Sequence, residues 1–183
     1  MKNFFIVLVF ACTTLTIQAQ KKEKNQKPQV YGIDSTKVTT IDKTIKSLYD
    51  VISGEKGEKR NWGQFKFLFY KDAKLIPSGK NKKKVHVASF MTPDDYVKIS
   101  GKWLVENGFF EKEINRKVQR FGNIAHVFST YEAFNSKSDD APFMRGINSI
   151  QLLNDGKRWW IINIYWTQET TDNPIPEKYL PKK

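Results

Sequence analysis

Between Phe109 and Thr167 the sequence reads as four long strands joined by turn signals, and this restricts the possible folds more than any other feature. Phe109 to Phe121 and Ile124 to Phe134 alternate apolar and polar residues and meet at Gly122-Asn123. A polar loop from Asn135 to Pro142 leads to a third run, Met144 to Leu153. Asn154-Asp155-Gly156 is a hairpin turn, and Arg158 to Thr167 returns as the most aromatic run of all. Successive strands joined this closely pair antiparallel, and the sheet they form needs a cover for its apolar face.

The cover lies upstream. Val38, Ile41, Ile45, Leu48 and Ile52 recur at spacings of three and four, one apolar stripe on a helix. Ser35 or Thr36 is placed to cap its start and Gly54 to end it. Arg60 to Tyr70 fits a strand through Phe65, Phe67 and Phe69, or a short helix through Trp62, Phe65, Leu68 and Phe69, and periodicity leaves both open. Ala73 to Pro77 and Val85 to Phe90 read as short strands around a lysine loop, with Ser78-Gly79 as the turn. Thr92-Pro93-Asp94-Asp95 starts a helix with a cap, a proline and two acids that complement the dipole, so the aspartates are not read as a catalytic pair. Tyr96, Ile99, Trp103 and Leu104 supply its buried face, and Asn107-Gly108 stops it. Pro174, Pro176 and Pro181 exclude helix or central strand from the last segment. The order predicts an α+β fold: three early helices on a curved, cone-shaped, mainly antiparallel sheet of about six strands. With 13 Phe, 7 Tyr and 5 Trp in 183 residues, much of the core must be rings.

The first residues have another purpose. Lys2 is followed by an apolar run from Phe4 to Ile17 and a small-residue cleavage site at Ala19, the pattern of a secretory signal and too short for a bilayer span. The expected organisation is a signal over 1–19, a flexible basic leader over 20–37, the domain over 38–168 and a proline-rich tail over 169–183. Export to the periplasm or the extracellular space follows, without a transmembrane segment. Lipid anchoring through Cys12, the single cysteine, is the alternative. Much of the net charge of +12 is local, in Lys21, Lys22, Lys24 and Lys27, in Lys80, Lys82, Lys83 and Lys84, and in Lys182 and Lys183. These runs lack the interleaved aromatics of a nucleic-acid platform, so solvated segments attracted to anionic surfaces are expected instead.

Arg60-Asn61-Trp62, leading through Leu68-Phe69 to Asp72-Ala73-Lys74-Leu75-Ile76, together with Asp155-Gly156-Lys157-Arg158-Trp159-Trp160-Ile161, resembles the nuclear transport factor 2-like superfamily over residues 38–168. The tail Asn173-Pro174-Ile175-Pro176 with Tyr179-Leu180-Pro181 is similar to that of exported bacterial members. The resemblance makes Arg60 to Tyr70 the second helix running into the first strand. It also implies a conical cavity between the helices and the sheet's concave face, and a homodimer through the other face.

Candidate site residues come from the long strands. His126 suits acid–base work and is the candidate catalytic residue, against the plainer reading of a hydrogen-bonded structural histidine. Tyr131, Glu132, Arg145, Asn148, Gln151, Trp159 and Asn163 are the candidate ligand-binding residues, with Arg145 also suited to an ion pair with Glu132 or Glu169. On the last strand Trp159, Ile161, Asn163 and Tyr165 are expected on one face, opposite Trp160, Ile162, Ile164 and Trp166. An isomerase-type arrangement of a base opposite a tyrosine and an acid maps onto no set of residues here. No cofactor motif is present, and two histidines forty residues apart give no metal-ligand spacing. The expectation is an exported domain binding a small apolar ligand, with no catalysis assigned. A lyase, isomerase or hydrolase built on His126 is one alternative, and a non-catalytic dimeric interaction module the other.

Overall fold

The computed structural model describes residues 32–182 of the chain. The signal segment, Cys12 and most of the basic leader lie outside the described residues. Three helices and a six-stranded sheet carry the fold: α1 Ile41–Ile52, α2 Trp62–Phe67, β1 Phe69–Lys80, β2 His86–Ala88, α3 Pro93–Asn107, β3 Phe110–Phe121, β4 Ile124–Phe134, β5 Met144–Asn154 and β6 Trp159–Gln168. The strand order is β2-β1-β6-β5-β4-β3, and only the β1–β6 pair is parallel. The α+β arrangement of helices on a mainly antiparallel sheet is therefore present.

The apolar stripe is broken once before it becomes α1. Ser35–Val38 forms a 3-10 turn capped by Asp34, whose carboxylate accepts from the Thr36 N–H at 2.9 Å. The extended Thr40 then restarts the chain as α1, its hydroxyl accepting from the Lys43 N–H at 3.2 Å. The helix cap is thus Thr40, where Ser35 or Thr36 was expected: Thr39 keeps helical angles, and the chain leaves the helical region only at Thr40. Ile45, Leu48 and Ile52 are buried against the sheet, each contributing about 1.5–3 kcal/mol relative to exposure.

Arg60 locks the end of α1 to α3. It is 5% exposed, and its guanidinium donates to the carbonyls of Ile52 at 3.0 Å, Gly54 at 2.6 Å and Leu104 at 3.0 Å. α2 follows with Asn61 as its cap, so the segment from Arg60 is helix and then strand. α3 opens on a complete capping box between Thr92 and Asp95. It ends at Gly108, whose φ of 75° and close approach to the Asn135 carbonyl leave no place for a side chain.

The lysine loop differs from expectation. Ser78 and Gly79 stay in β1, paired with Ala88 and Val87, and the turn is made at Asn81. The Asn81 side chain accepts from the N–H groups of Lys83 and Val85, which closes the turn at that residue.

Two bulges decide which residues face inward. In β3, Glu113 pairs with Tyr131 and Asn115 with Thr130, so Ile114 is the extra residue. In β6, Ile161 pairs with Leu152 and Asn163 with Gln151, so Ile162 is the extra residue. A bulge moves every side chain beyond it to the other face. The expected strict alternation on β6 is therefore corrected: Trp159 and Ile161 share the inner face with Ile164 and Trp166, while Asn163 and Tyr165 face outward.

After β6 the chain crosses the outer face of the sheet. Ile175 is 9% exposed, the Tyr179 carbonyl accepts from the Thr130 hydroxyl at 2.7 Å, and the Tyr179 ring packs tilted against Phe128 with centroids 4.9 Å apart. The prolines cannot join the ladder, so this segment is held by side chains.

Candidate functional site

Between α1, α2, α3 and the inner face of the sheet lies a cavity of about 210 Å³. Its walls are apolar, with Leu48, Ile52, Leu75, Leu104, Phe109 and Ile164 among them, and Trp103 and Trp166 at its edges. Glu111 is the one acid among the described residues that line it. Part of the Glu111 side chain borders open cavity space, yet protein surrounds it closely enough that burial pushes its carboxyl up to about 7, against an ordinary value of 4.5. The hydrogen bond from Asn148 Nδ2 to Glu111 Oε1, 2.9 Å, acts in the opposite direction and is the smaller effect. The carboxyl therefore titrates near neutrality.

Asn148 is fixed by a chain of hydrogen bonds leading away from the cavity. Its amide also donates to Tyr49 Oη at 3.2 Å, and Tyr49 Oη lies 2.7 Å from Ser129 Oγ. The Ser129 hydroxyl donates to Glu113, which pairs with Arg116, and Arg116 reaches the exposed Asp42 at 2.6 Å. Because Ser129 spends its proton on Glu113, Tyr49 must donate to Ser129 and accept from Asn148. Every donor in the row points toward the Glu113–Arg116 pair, and each bond polarises the next.

Two phenols complete the site. Tyr131, on β4, and Tyr96, on α3, line the cavity and make no hydrogen bond through their hydroxyls among the described residues. Burial raises both above the ordinary tyrosine value, and the nearby Glu111 charge adds to that, so both stay neutral donors. A carboxyl and two unsatisfied phenols thus converge on an apolar space. Such groups hold a carbonyl or hydroxyl oxygen, or exchange a proton with it.

Of the residues singled out in the sequence, Tyr131 and Asn148 are at this cavity. Trp159 is buried on the inner face, away from the cavity lining, with the Arg120 guanidinium 5.1 Å from its ring. The others lie on the outer face. His126 Nε2 is 2.8 Å from Ser149 Oγ, Asn163 donates to Gln151 at 3.0 Å, and Glu132 sits opposite Arg145 in register. Arg145 is ion-paired with Glu169 at 2.7 Å.

Glu111 was not among the candidate site residues, and Tyr96 was expected only as part of the buried face of α3. Counting back from the Gly122-Asn123 turn sets Glu111 opposite Phe134, on the outer face, and only the bulge at Ile114 brings it opposite Ala133 and inward. The weak signal available was the pair Glu111 and Glu113 in a strand otherwise rich in lysine and arginine. Among the described residues no group of His, Cys, Asp and Glu is placed to hold a metal, and no helix is long and apolar enough to cross a membrane.

The chain has the nuclear transport factor 2-like, cystatin-like α+β cone fold. A cystatin-like-fold protein of unknown function from Nostoc punctiforme superposes with a TM-score of 0.54 at 11% identity, covering 72% of this chain and 90% of that one. A candidate scytalone dehydratase from Novosphingobium aromaticivorans gives 0.54 at 13% identity, covering 77% and 89%. The β subunit of a candidate aromatic-ring-hydroxylating dioxygenase from the same organism gives 0.55 at 12% identity, covering 78% and 94%. No family model and no curated protein matches the sequence. At these identities the likeness concerns the fold alone.

Proposed function

We propose that this is an exported domain that binds a small, mostly apolar ring compound carrying one carbonyl or hydroxyl oxygen. The observation that carries the reading is the convergence of Glu111, Tyr96 and Tyr131 on a 210 Å³ apolar cavity. An apolar protein cavity of about 150 Å³ takes up benzene, so a single ring with a short substituent fits here. The oxygen is held by the phenol hydroxyls and, below neutrality, by the protonated Glu111 as a third donor. Export rests on the apolar run from Phe4 to Ile17 with Lys2 before it. A homodimer, if formed through the outer face, has the area around Phe121 and Ile124 left to use, since these are 84% and 55% exposed.

A second reading is favoured by one observation. A carboxyl that titrates near pH 7 beside two neutral phenols is suited to move a proton on a bound carbonyl compound, with Glu111 as base and a tyrosine steadying the oxygen.

The binding reading is tested with Trp103 and Trp166 as reporters. Titration with cyclohexenone and with benzaldehyde is expected to quench tryptophan emission saturably, and Ser100→Phe, which fills the cavity, is expected to abolish the effect. Quenching that is linear and unchanged in Ser100→Phe would remove the proposal. The proton-transfer reading is tested by deuterium exchange of the ring ketone's α-hydrogens, expected in the wild type and lost in Glu111→Gln.

A further inference from the structure

The cationic run from Lys80 to Lys84, within the described residues, is held in a fixed shape. Between β1 and β2 the Asn81 N–H donates to the Val85 carbonyl at 2.9 Å and the Lys84 N–H to the Asn81 carbonyl at 2.8 Å. The Asn81 side chain accepts from the N–H groups of Lys83 at 2.9 Å and Val85 at 3.1 Å. Lys84 takes a left-handed φ of 60°, which costs about 1–2 kcal/mol for a residue with a side chain. Lys82, Lys83 and Lys84 are therefore presented by a tied turn. They form no ion pair among the described residues, whereas Lys80 has Asp172 at 3.7 Å.

The same hairpin exposes apolar side chains. Val85, Val87 and Phe90 are 55%, 45% and 71% exposed, and no acid occurs from Lys80 to Phe90. Lysines alone protect an edge strand such as β2 from pairing with another chain. They do not account for two valines and a phenylalanine left in water beside them. A soluble polyanion satisfies the lysines and leaves that apolar area exposed. An anionic surface with an apolar layer beneath it satisfies both.

We propose that the hairpin from Lys80 to Phe90 docks on an anionic lipid bilayer. Lys82, Lys83 and Lys84 meet the phosphate headgroups, and Val85, Val87 and Phe90 enter the boundary between headgroups and acyl chains. The occupant is set by charge complementarity: the chain carries +12 overall, and the Lys82–Lys84 cluster lies beside exposed valines.

The test places a polarity-sensitive fluorophore on Val85→Cys in the full chain, with Cys12→Ser removing the other thiol. Vesicles containing phosphatidylglycerol are expected to shift the emission to the blue, while pure phosphatidylcholine leaves it unmoved. Replacing Lys82, Lys83 and Lys84 by Gln is expected to weaken partitioning on the order of 100-fold, and Phe90→Ser to reduce the blue shift. Lys82, Lys83, Lys84, Val85 and Phe90 are all exposed, so substitutions there keep the wild-type unfolding midpoint. An equal shift on neutral vesicles, an unchanged response in the lysine variant, or the same shift with soluble polyphosphate would each overturn the proposal.

Discussion

Tyr49 on α1 and Ser129 on β4 are eighty residues apart in sequence, and their hydroxyl oxygens lie 2.7 Å apart beneath the helix layer. The contact joins the helix cover to the sheet and sets the direction of the hydrogen-bond row from Asn148 to Glu113. Removing the Tyr49 hydroxyl leaves Ser129 and Asn148 buried with one partner fewer each. Tyr49→Phe is expected to cost about 1–3 kcal/mol in urea unfolding. Because Asn148 is then free to shift, the variant is also expected to weaken ring binding.

Glu111 gives the protein an unusual pH profile. Its carboxyl has an ordinary value of 4.5 and rises to about 7 on folding. Between those values the native state keeps a proton that the unfolded chain has lost, so stability falls as pH rises and levels off above about 7. The loss is about 2–3 kcal/mol, allowing for the water that still reaches the side chain. Glu111→Gln is expected to remove this slope, so the variant gains on the wild type from pH 5 to pH 8 in thermal unfolding. Asp155 and Glu169 are held below their ordinary range by hydrogen bonds, so their contributions are lost only in stronger acid.

Gly146 is needed by the cavity wall. A β-carbon there would lie 2.5 Å from the Thr167 carbonyl of the neighbouring strand and 2.5 Å from the Tyr131 hydroxyl. The carbonyl belongs to the sheet and cannot yield, so Tyr131 must swing away. Gly146→Ala is expected to cost about 1–3 kcal/mol and to lose ring binding. Wild-type affinity in this variant would show that Tyr131 takes no part.

The tail is expected to limit self-association. Ile175 is packed onto the outer face, and its N–H donates to Glu169 at 2.9 Å, the carboxylate that also holds Arg145. Ile175→Ala is expected to cost about 2 kcal/mol and, by loosening the tail over Phe128 and Tyr165, to raise the weight-average mass in sedimentation velocity.

The fold was legible because its signals are local. The Thr92-Pro93 start, the Asn154-Asp155-Gly156 turn and the alternating strands all act within a few residues. The site was legible only in part, because two single-residue bulges set its facing. The bulge at Ile114 turns Glu111 inward, and the bulge at Ile162 separates Asn163 from Ile161. Neither has a glycine or proline to mark it, and each depends on how the neighbouring strand packs. His126 drew attention as an isolated titratable group in an apolar strand, but parity sets it on the face away from the cavity.

Titration of the glutamate side-chain carboxyls by carbon-13 NMR, with Glu111→Gln supplying the assignment, tests the cavity's central group directly. A Glu111 midpoint near pH 7 that moves when cyclohexenone is added is the predicted result. A midpoint at 4–5, as for a carboxyl in water, would contradict both the cavity chemistry and the ligand class built on it.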